Sequence, residues 1–116
     1  QPGIRGLSEN ITVRSIIGRF LEHARIYYFE NNGNPITYLS SADWMERNCF
    51  SRVEIAVPIE DEHIRRRVIS EGLQHYLKDN SNAWVLKKTG QYQRIKTKSL
   101  KKRKARQYLL EKLSLL

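Results

Sequence analysis

The first half of the chain alternates apolar and polar positions with the period of a β-strand. Residues 11–17 are rich in β-branched side chains and predict a first strand. Residues 20–29 predict a second strand, and because neither of its alternating faces is purely polar, we expect it in the centre of a sheet. Residues 36–39 and residues 52–57 predict two further strands, whereas residues 44–51 predict irregular structure.

A strong turn signal separates the second and third predicted strands. Residues 31–35 have the sequence Asn-Asn-Gly-Asn-Pro, and an Asn-Gly pair favours the positive φ angles of a tight hairpin. Antiparallel pairing across this turn would place Ser40 and Ser41 beside residues 21–23. The hairpin alone is therefore expected to bring together the two segments that carry the candidate chemistry.

The second half of the chain changes to helical spacing. Asp61 is expected to cap a helix that extends to about residue 78, with apolar side chains on one face. Residues 79–82 are all polar and end it, and residues 84–96 predict a short β-hairpin. A basic amphipathic helix is expected over about residues 99–116. Strands and helices in this order predict the α/β (α+β) class.

Composition fits a single folded domain, residues 1–116, with 40% hydrophobic residues and a modest core. No apolar run reaches the ~20 residues of a membrane-spanning helix, and no secretory signal is expected. Cys49 is the single cysteine, so no internal disulfide can form, which suits a reducing, cytoplasmic setting. The chain starts at Gln1 and not at methionine, which indicates either a domain of a longer protein or removal of the methionine by processing.

The chain is strongly basic. Its net charge of +9 predicts affinity for polyanions such as nucleic acid, polyphosphate or an anionic membrane, without choosing among them. Much of the excess lies in residues 96–104, with the sequence KTKSLKKRK. This run fits a solvated helix start and a polyanion-binding surface equally well.

The sharpest candidate for chemistry is His23. Arg25 follows two positions later on the same predicted strand, so both side chains would point to one face, about 7 Å apart. A neutral imidazole could attack phosphorus or accept a proton, and a protonated one could donate a proton to a leaving oxygen. Because a lone histidine is more often structural, the assignment depends on the neighbouring arginine.

The next predicted strand ends in a polar run that supplies hydroxyl groups. Ser40, Ser41 and Asp43 lie in this run, and Arg47 and Arg52 follow it. A guanidinium group binds two phosphate oxygens at once and neutralises charge during phosphoryl transfer. Both arginines could equally be ordinary surface residues. Asp43 could orient an imidazole through a hydrogen bond or could occupy a turn. Together these groups are typical of a site that holds and transfers phosphate.

The two remaining histidines do not indicate a metal site. His63 and His75 lie on the predicted helix, with no cysteine or paired acidic residues nearby, so no metal ligand is predicted within the chain. Residues 3–6 contain two glycines but lack the spacing of a phosphate-binding Walker loop.

Four stretches carry a longer signature: residues 6–11 (GLSENI), 15–23 (SIIGRFLEH), 38–45 (YLSSADWM) and 47–48 (RN). Together they resemble the last domain of bacterial polyphosphate kinases of the long-chain-synthesising type, and the resemblance is strongest from about residue 4 to residue 58. The C-terminal half of that family is similar to phospholipase D. The resemblance therefore implies a phospholipase-D-like mixed sheet with flanking helices and a C-terminal helix.

The same resemblance implies an activity. The intact enzyme would be a kinase that reversibly transfers the terminal phosphate of ATP to inorganic polyphosphate through a phosphohistidine, with magnesium. The phosphohistidine would lie in the preceding domain and the magnesium site outside this chain, so this chain alone is expected to be inactive. The expected partners are ATP and ADP, inorganic polyphosphate and the rest of the kinase chain. The intact enzyme would be a cytoplasmic homo-oligomer, with membrane association as a further expectation.

The resemblance also implies roles for single residues. His23 would be the family's second active-site histidine, which contacts the nucleotide phosphates and either acts as acid or base or only binds. Arg52 stands where the family has an arginine that lines the phosphate site. An ATP-binding arginine of the family would lie before Gln1. The candidate ATP- and phosphate-binding residues are therefore His23, Arg25, Ser40, Ser41, Arg47 and Arg52, with Asp43 as the orienting residue.

Two other functions stay open at this point. The basic composition also suits a binding module for nucleic acid or another polyanion. The phospholipase-D-like pattern also suits half of a phosphodiesterase that dimerises to complete its site. Against the latter, Arg25 replaces the lysine of the phospholipase D motif, and no acidic residue follows at the usual spacing.

Overall fold

The structure is a computed structural model that describes residues 1–96 and 101–114. The chain divides into two compact units. The terminal unit comprises Gln1–Phe20 and His75–Leu116, and the central unit comprises Leu21–Gln74. The expectation of one domain over residues 1–116 stays a prediction.

Each unit contains one three-stranded sheet together with helical segments. In chain order the elements are β1 (Arg14–Ile16), β2 (Arg25–Phe29), a 3₁₀ turn (Asn31–Gly33), β3 (Ile36–Ser40), α1 (Glu46–Ser51), β4 (Ala56–Pro58), α2 (Glu62–Ile69), a π-helical segment (Ser70–Gln74), α3 (His75–Leu77), β5 (Ala83–Leu86), β6 (Tyr92–Arg94) and α4 (Ala105–Leu113).

The sheet of the central unit is antiparallel, with the strand order β2-β3-β4. The prediction of a central strand over residues 20–29 is wrong in two respects, because β3 is central and β2 begins only at Arg25. The physical reason is the path of the chain after β3. The amide of Ser41 donates to the carbonyl of Ile55 (3.0 Å), which continues the pairing toward β4 and not toward residues 20–24.

The hairpin between β2 and β3 confirms the predicted reversal. Arg25 pairs with Ser40 at its open end. The connection is a 3₁₀ turn in which Asn32 and Gly33 have φ angles of 53° and 83°. Asparagine and glycine tolerate this left-handed region better than other residues, so the local sequence specifies the turn. The predicted position of Ser40 and Ser41 beside residues 21–23 is wrong, because Ser40 lies opposite Arg25 and residues 21–23 are outside β2.

Residues 44–51 are not irregular, because they include the short helix α1. The carboxylate of Glu46 lies in its first turn, where negative charge suits the helix dipole. Only Asn48 of this helix is buried, while Phe50 is exposed, so no apolar stripe marks the helix in the sequence. The strand predicted over residues 52–57 is reduced to β4, which begins only at Ala56, because residues 52–55 after α1 do not pair as a strand.

The helix predicted from Asp61 is confirmed. The carboxylate of Asp61 accepts a hydrogen bond from the amide of Ile64 (2.8 Å) and so caps α2. The helical backbone continues through the π-helical segment into α3. Gly72 lies in the π-helical segment, where a Cβ atom would come 2.1 Å from Cδ1 of Ile26. Glycine therefore allows this segment to approach β2 closely.

The sheet of the terminal unit is also antiparallel, with the strand order β1-β5-β6. The hairpin predicted over residues 84–96 is present as β5 and β6, and β1 covers the centre of the strand predicted over residues 11–17. The α/β class is thus confirmed. Where a mixed sheet was expected, the described strands form two separate antiparallel sheets.

A buried carboxylate organises the terminal unit. Asp79 is 1% exposed, and its Oδ1 accepts hydrogen bonds from the amides of Ser81 (2.9 Å) and Asn82 (2.7 Å). Its Oδ2 accepts from the amide of Ala105 (2.9 Å), so a distant carboxylate caps α4. The C-terminal helix therefore starts at Ala105, later than the predicted residue 99. Residues 99–100 and 115–116 of that prediction lie outside the described residues.

The core of the described chain is small. Its buried apolar side chains are Ala83, Ala105 and Leu109, all in the terminal unit. In the central unit the buried side chains are the polar Thr37 and Asn48. Many apolar residues of that unit are instead exposed, among them Leu21, Trp44, Phe50, Val53 and Ile55. In residues 1–96 and 101–114, no helix has both the length and the apolar character needed to cross a membrane.

Candidate functional site

An ion pair between Arg25 and Asp43 lies at the centre of the candidate site. Nε of Arg25 is 2.6 Å from Oδ1 of Asp43, and Nη2 is 3.1 Å from Oδ2, which is the bidentate geometry of strong arginine–carboxylate pairs. Both side chains are half-buried. The hydrogen bond from Arg25 lowers the pKa of Asp43 below its usual value despite partial desolvation, and the charges of Arg25, Arg47 and His23 act in the same direction.

The register of the hairpin explains how this pair forms. Arg25 is the first residue of β2 and lies opposite Ser40, the last residue of β3. Oγ of Ser40 accepts a hydrogen bond from the amide of Ala42 (3.0 Å), which turns the chain directly after the strand. This turn leads Asp43 back to Arg25. Ser40 therefore shapes the site through the backbone.

His23 lies beside this pair, just before β2. The prediction that His23 and Arg25 share one strand face is wrong, because residue 23 is not part of the strand. The two residues are nevertheless joined, since Nη1 of Arg25 donates to the carbonyl oxygen of His23 (2.9 Å). His23 is exposed, so its ring is open to a ligand. An orienting effect of Asp43 on His23 would act through Arg25, whose guanidinium contacts both.

The hydroxyl of Ser41 is bound to a carboxylate that the sequence analysis did not single out. Oγ of Ser41 donates to Glu54 (2.5 Å) and accepts from the amide of Ile55 (3.1 Å). The negative charge of Glu54 also contributes to raising the pKa of Arg25, for which the hydrogen bond to Asp43 is the main cause. The contact between Glu54 and Ser41 could be predicted only from the register in which β3 pairs with β4.

The two arginines that follow the hairpin differ in their relation to the site. Arg47 lies on α1, and its positive charge contributes to lowering the pKa of Asp43. Arg52 is exposed directly after α1 and is not among the charges found to act on Asp43 within the described residues. The structure thus brings His23, Arg25, Ser40 and Asp43 together, with Arg47 contributing charge to Asp43, and it does not show Arg52 in contact with them.

A cleft of about 300 Å³ lies beside the ion pair and is entirely within the central unit. Its volume is at the lower end for ligand pockets. The hydroxyl of Tyr27 donates to the carbonyl of Ala42 (2.6 Å), and the ring of Trp44 meets that of Tyr27 edge-on at 5.6 Å. Neither aromatic residue was among the predicted site residues. Strand alternation was the available signal for Tyr27, because it places Tyr27 on the face of Arg25.

The family of the chain follows from comparison with known proteins. Residues 1–107 match the model of the family described as polyphosphate kinase C-terminal domain 2. The chain belongs to this family. The resemblance found in the sequence is therefore confirmed, and the match to polyphosphate kinases does not favour the nucleic-acid-binding or phosphodiesterase alternatives.

Individual relatives agree with the family match. The chain is 61% identical over 94 residues to a polyphosphate kinase of Paraburkholderia phytofirmans and 63% identical over 94 residues to one of Burkholderia lata. Each match covers 81% of this chain and 14% of the relative. A crystal structure of the polyphosphate kinase from Porphyromonas gingivalis superposes with a TM-score of 0.85 at 34% identity, over 92% of this chain and 16% of that chain. The chain thus spans only 14% of the length of these two relatives.

The described residues of this polyphosphate kinase domain do not fit a magnesium site of their own. Residues 1–96 and 101–114 contain no group of three or more His, Cys, Asp and Glu side chains that could hold a metal ion. Magnesium is bound through carboxylates together with substrate phosphates. The carboxylates nearest the cleft are already engaged, Asp43 by Arg25 and Glu54 by Ser41. We therefore assign no step to magnesium within this chain.

The charges at the site are nearly balanced. The two cations Arg25 and Arg47 are matched by the two carboxylates Asp43 and Glu54, whose charges all act on the Arg25–Asp43 pair. A guanidinium has about five N–H donors. The hydrogen bonds of Arg25 use three of them, two to Asp43 and one to the carbonyl of His23, which leaves two for a ligand. The site can offer hydrogen bonds to phosphate but cannot neutralise several phosphate charges by itself.

Proposed function

We propose that this chain is a catalytic domain of an enzyme that reversibly transfers the terminal phosphate of ATP to inorganic polyphosphate. The observation that carries the proposal is the exposed His23, held through its backbone beside a bidentate ion pair, in a chain that belongs to a polyphosphate kinase family. The relatives from Paraburkholderia phytofirmans and Burkholderia lata are themselves named polyphosphate kinase, which supports the substrate class.

The reaction we propose has two reversible steps. In the first, the bond between the terminal phosphorus of ATP and its bridging oxygen breaks, ADP leaves, and phosphorus bonds to a histidine nitrogen in another part of the enzyme. In the second, this phosphorus–nitrogen bond breaks and a new bond forms to the terminal oxygen of polyphosphate. Magnesium, bound with ATP outside this chain, would neutralise phosphate charge. His23 would contact the phosphates, either as acid or base or only by binding.

The other candidate residues would position the phosphates. Arg47 and Arg52 would bind phosphate oxygens, and Arg25 would add its remaining N–H groups while holding His23 in place. The hydroxyls of Ser40 and Ser41 would offer further donors once a phosphate competes with their present partners. Because electrostatic stabilisation is the main task in phosphoryl transfer, each of these groups would act by placing positive charge or donors at the equatorial oxygens.

The rest of the enzyme would complete this site. Leu21, Trp44, Phe50 and Val53 of the central unit are 82%, 81%, 85% and 100% exposed. Large exposed apolar side chains of this kind mark surfaces that bind other protein. We propose that further parts of the polyphosphate kinase chain cover them and supply the missing positive charge. On this proposal the 116-residue chain alone is inactive, and the intact enzyme works as a homo-oligomer in the cytoplasm.

The test uses the full-length protein that contains this chain. Purified protein is given radiolabelled ATP, magnesium and a polyphosphate primer, and label in acid-insoluble polymer is measured for wild type, His23→Ala and His63→Ala. His63 is an exposed histidine on α2 and serves as the matched control. We expect loss of at least about a hundredfold in rate for His23→Ala, the usual contribution of a proton-transferring group, and wild-type rates for His63→Ala.

Two results would count against the proposal. Equal rates of synthesis in both variants would remove His23 from the mechanism. If the wild-type protein makes no polymer but cleaves phosphodiesters, the phosphodiesterase alternative would replace the kinase.

A further inference from the structure

A second concave surface lies in the terminal unit, apart from the residues of the candidate site. It is a cavity of about 640 Å³, within the usual size range of ligand pockets. We call it the basic cavity. Its lining includes His75, Lys78, Tyr108 and Glu111 together with residues 101–104, which have the sequence KKRK.

The lining of the basic cavity is strongly positive. Lys78 and the four consecutive basic residues 101–104 contribute cations, and these side chains are exposed. Glu111 is the acidic residue of the lining, and its carboxylate accepts a hydrogen bond from Gln107 (3.0 Å). The cationic groups therefore outnumber the anionic ones. The charges around His23, by contrast, are nearly balanced.

Hydrogen bonds from Asp79 and Asn80 hold the backbone of this basic segment in place. The amide of Asn80 donates to the carbonyl of Arg103 (3.2 Å), and Oδ1 of Asn80 accepts from the amide of Arg103 (2.8 Å). Nδ2 of Asn80 donates to the carbonyl of Lys101 (3.3 Å), and the buried carboxylate of Asp79 accepts from the amide of Ala105 (2.9 Å). Because the backbone is held in this way, a ligand need order only the side chains, which lowers the entropic cost of binding.

We propose that the basic cavity is a second binding site for inorganic polyphosphate, distinct from the site at His23. The choice of polyphosphate rests on the proposed function, whereas the prediction of an anion site rests on the cavity alone. Lysine ammonium groups are compact charges that suit a flexible chain of phosphates. Such a site would hold a growing chain near the enzyme and raise its local concentration at the reacting end.

The aromatic residues of the cavity favour polyphosphate over nucleic acid. The rings of His75 and Tyr108 lie 4.4 Å apart and are tilted by 33°, so they face each other. Proteins that bind single-stranded nucleic acid usually offer aromatic faces on which successive bases stack. In this cavity the two rings lie against each other, and no series of aromatic faces follows the run of cations among the described residues of its lining. A lining of this kind matches a ligand that consists of phosphates only.

The experiment compares two charge-matched double variants of the full-length protein. Lys102→Gln with Lys104→Gln removes two cations from the basic cavity. Arg5→Gln with Lys88→Gln removes two exposed cations of the same unit that do not line it. The affinity for fluorescently labelled long-chain polyphosphate is measured by anisotropy at several salt concentrations, and circular dichroism checks that the variants are folded.

We expect the cavity variant to bind polyphosphate roughly tenfold more weakly than wild type, since exposed charge contacts contribute modestly and two are lost. The slope of log affinity against log salt should become shallower by about 1.4, at about 0.7 for each lost contact to a single-stranded polyanion. The control variant should bind like the wild type. Equal affinities for the two variants would overturn the proposal.

Three further results distinguish this inference from nucleic-acid binding and from the proposed kinase function. If single-stranded DNA displaces polyphosphate at equal phosphate concentration, the cavity binds nucleic acid and the assignment to polyphosphate is wrong. If binding depends on Lys102 and Lys104 although the protein makes no polymer from ATP, the second site stands and the proposed kinase function fails. If polymer synthesis depends on His23 but binding ignores both lysines, the proposed function stands and the second site fails.

Discussion

Replacing Asp79 by alanine tests how the basic cavity is built. Asp79 is 1% exposed and accepts the backbone amides of Ser81, Asn82 and Ala105. The variant Asp79→Ala removes all three hydrogen bonds and frees the N-terminus of α4. It should therefore loosen the segment that carries the cations of the basic cavity as well as lower the stability of the terminal unit.

The expected loss of stability follows from the partners of Asp79. A hydrogen bond to a charged group contributes about 1.5–3 kcal/mol when buried, and less where water can take over the freed donor. The amide of Ala105 is buried, while those of Ser81 and Asn82 are partly accessible. We therefore expect a loss of about 3–5 kcal/mol for Asp79→Ala, which lowers the melting temperature by about 12 °C or more.

The assay is thermal and urea denaturation followed by circular dichroism, with two comparison variants. Asp79→Asn keeps one acceptor oxygen but turns an amide toward the N–H of Ala105, so its stability should fall between wild type and Asp79→Ala. Asp61→Ala removes an exposed helix cap and should cost only about 1 kcal/mol. A loss below about 1 kcal/mol for Asp79→Ala would refute the reasoning, because freed buried donors cannot cost so little.

Three further predictions concern the central unit. Because the pKa of Asp43 is lowered in the folded chain, its ion pair stabilises the fold above the ordinary carboxyl pKa of about 4 and loses this effect as pH falls through the lowered pKa. The difference in melting temperature between wild type and Asp43→Asn should thus shrink in acid, and a constant difference would contradict it. Gly72→Ala should cost about 1–3 kcal/mol in denaturation because its Cβ would lie 2.1 Å from Cδ1 of Ile26, and adding Ile26→Val should restore part of this; additive costs would exclude the contact. Gly33→Ala should cost about 1–2 kcal/mol in urea unfolding because residue 33 has a φ of 83°, and an unchanged midpoint would rule out the left-handed turn.

The sequence predicts best those elements whose causes are local. The reversal at Asn32 and Gly33 and the helix cap at Asp61 depend on residues within a few positions of one another, and both are confirmed. The hairpin in the terminal unit also follows from a short pattern of strand, glycine turn and strand. In each case the residues that specify the element lie within it or directly beside it.

The sequence fails where distant segments decide the outcome. Strand alternation continues back to Phe20, but β2 starts at Arg25 because the chain after β3 pairs toward β4. The start of α4 depends on Asp79, which lies far earlier in the chain. Val53 was predicted in a strand from its alternating pattern, but it is fully exposed and lies before β4.

The candidate site shows the same division. The sequence singled out His23, Arg25 and Asp43, and the structure brings them together. The sequence did not predict the direct ion pair between Asp43 and Arg25, because residue 23 was expected inside the strand. The contact between Ser41 and Glu54 was equally hidden, since it requires the register of β4.

The position of the His23 imidazole relative to bound phosphate is the most direct test of the account. The measurement is a crystal structure of the full-length protein with a non-hydrolysable ATP analogue. The account predicts a ring nitrogen of His23 within hydrogen-bond distance, about 3 Å, of a phosphate oxygen, with Arg25 still bound to the His23 carbonyl. An ATP analogue bound elsewhere, with the imidazole of His23 facing solvent, would contradict it.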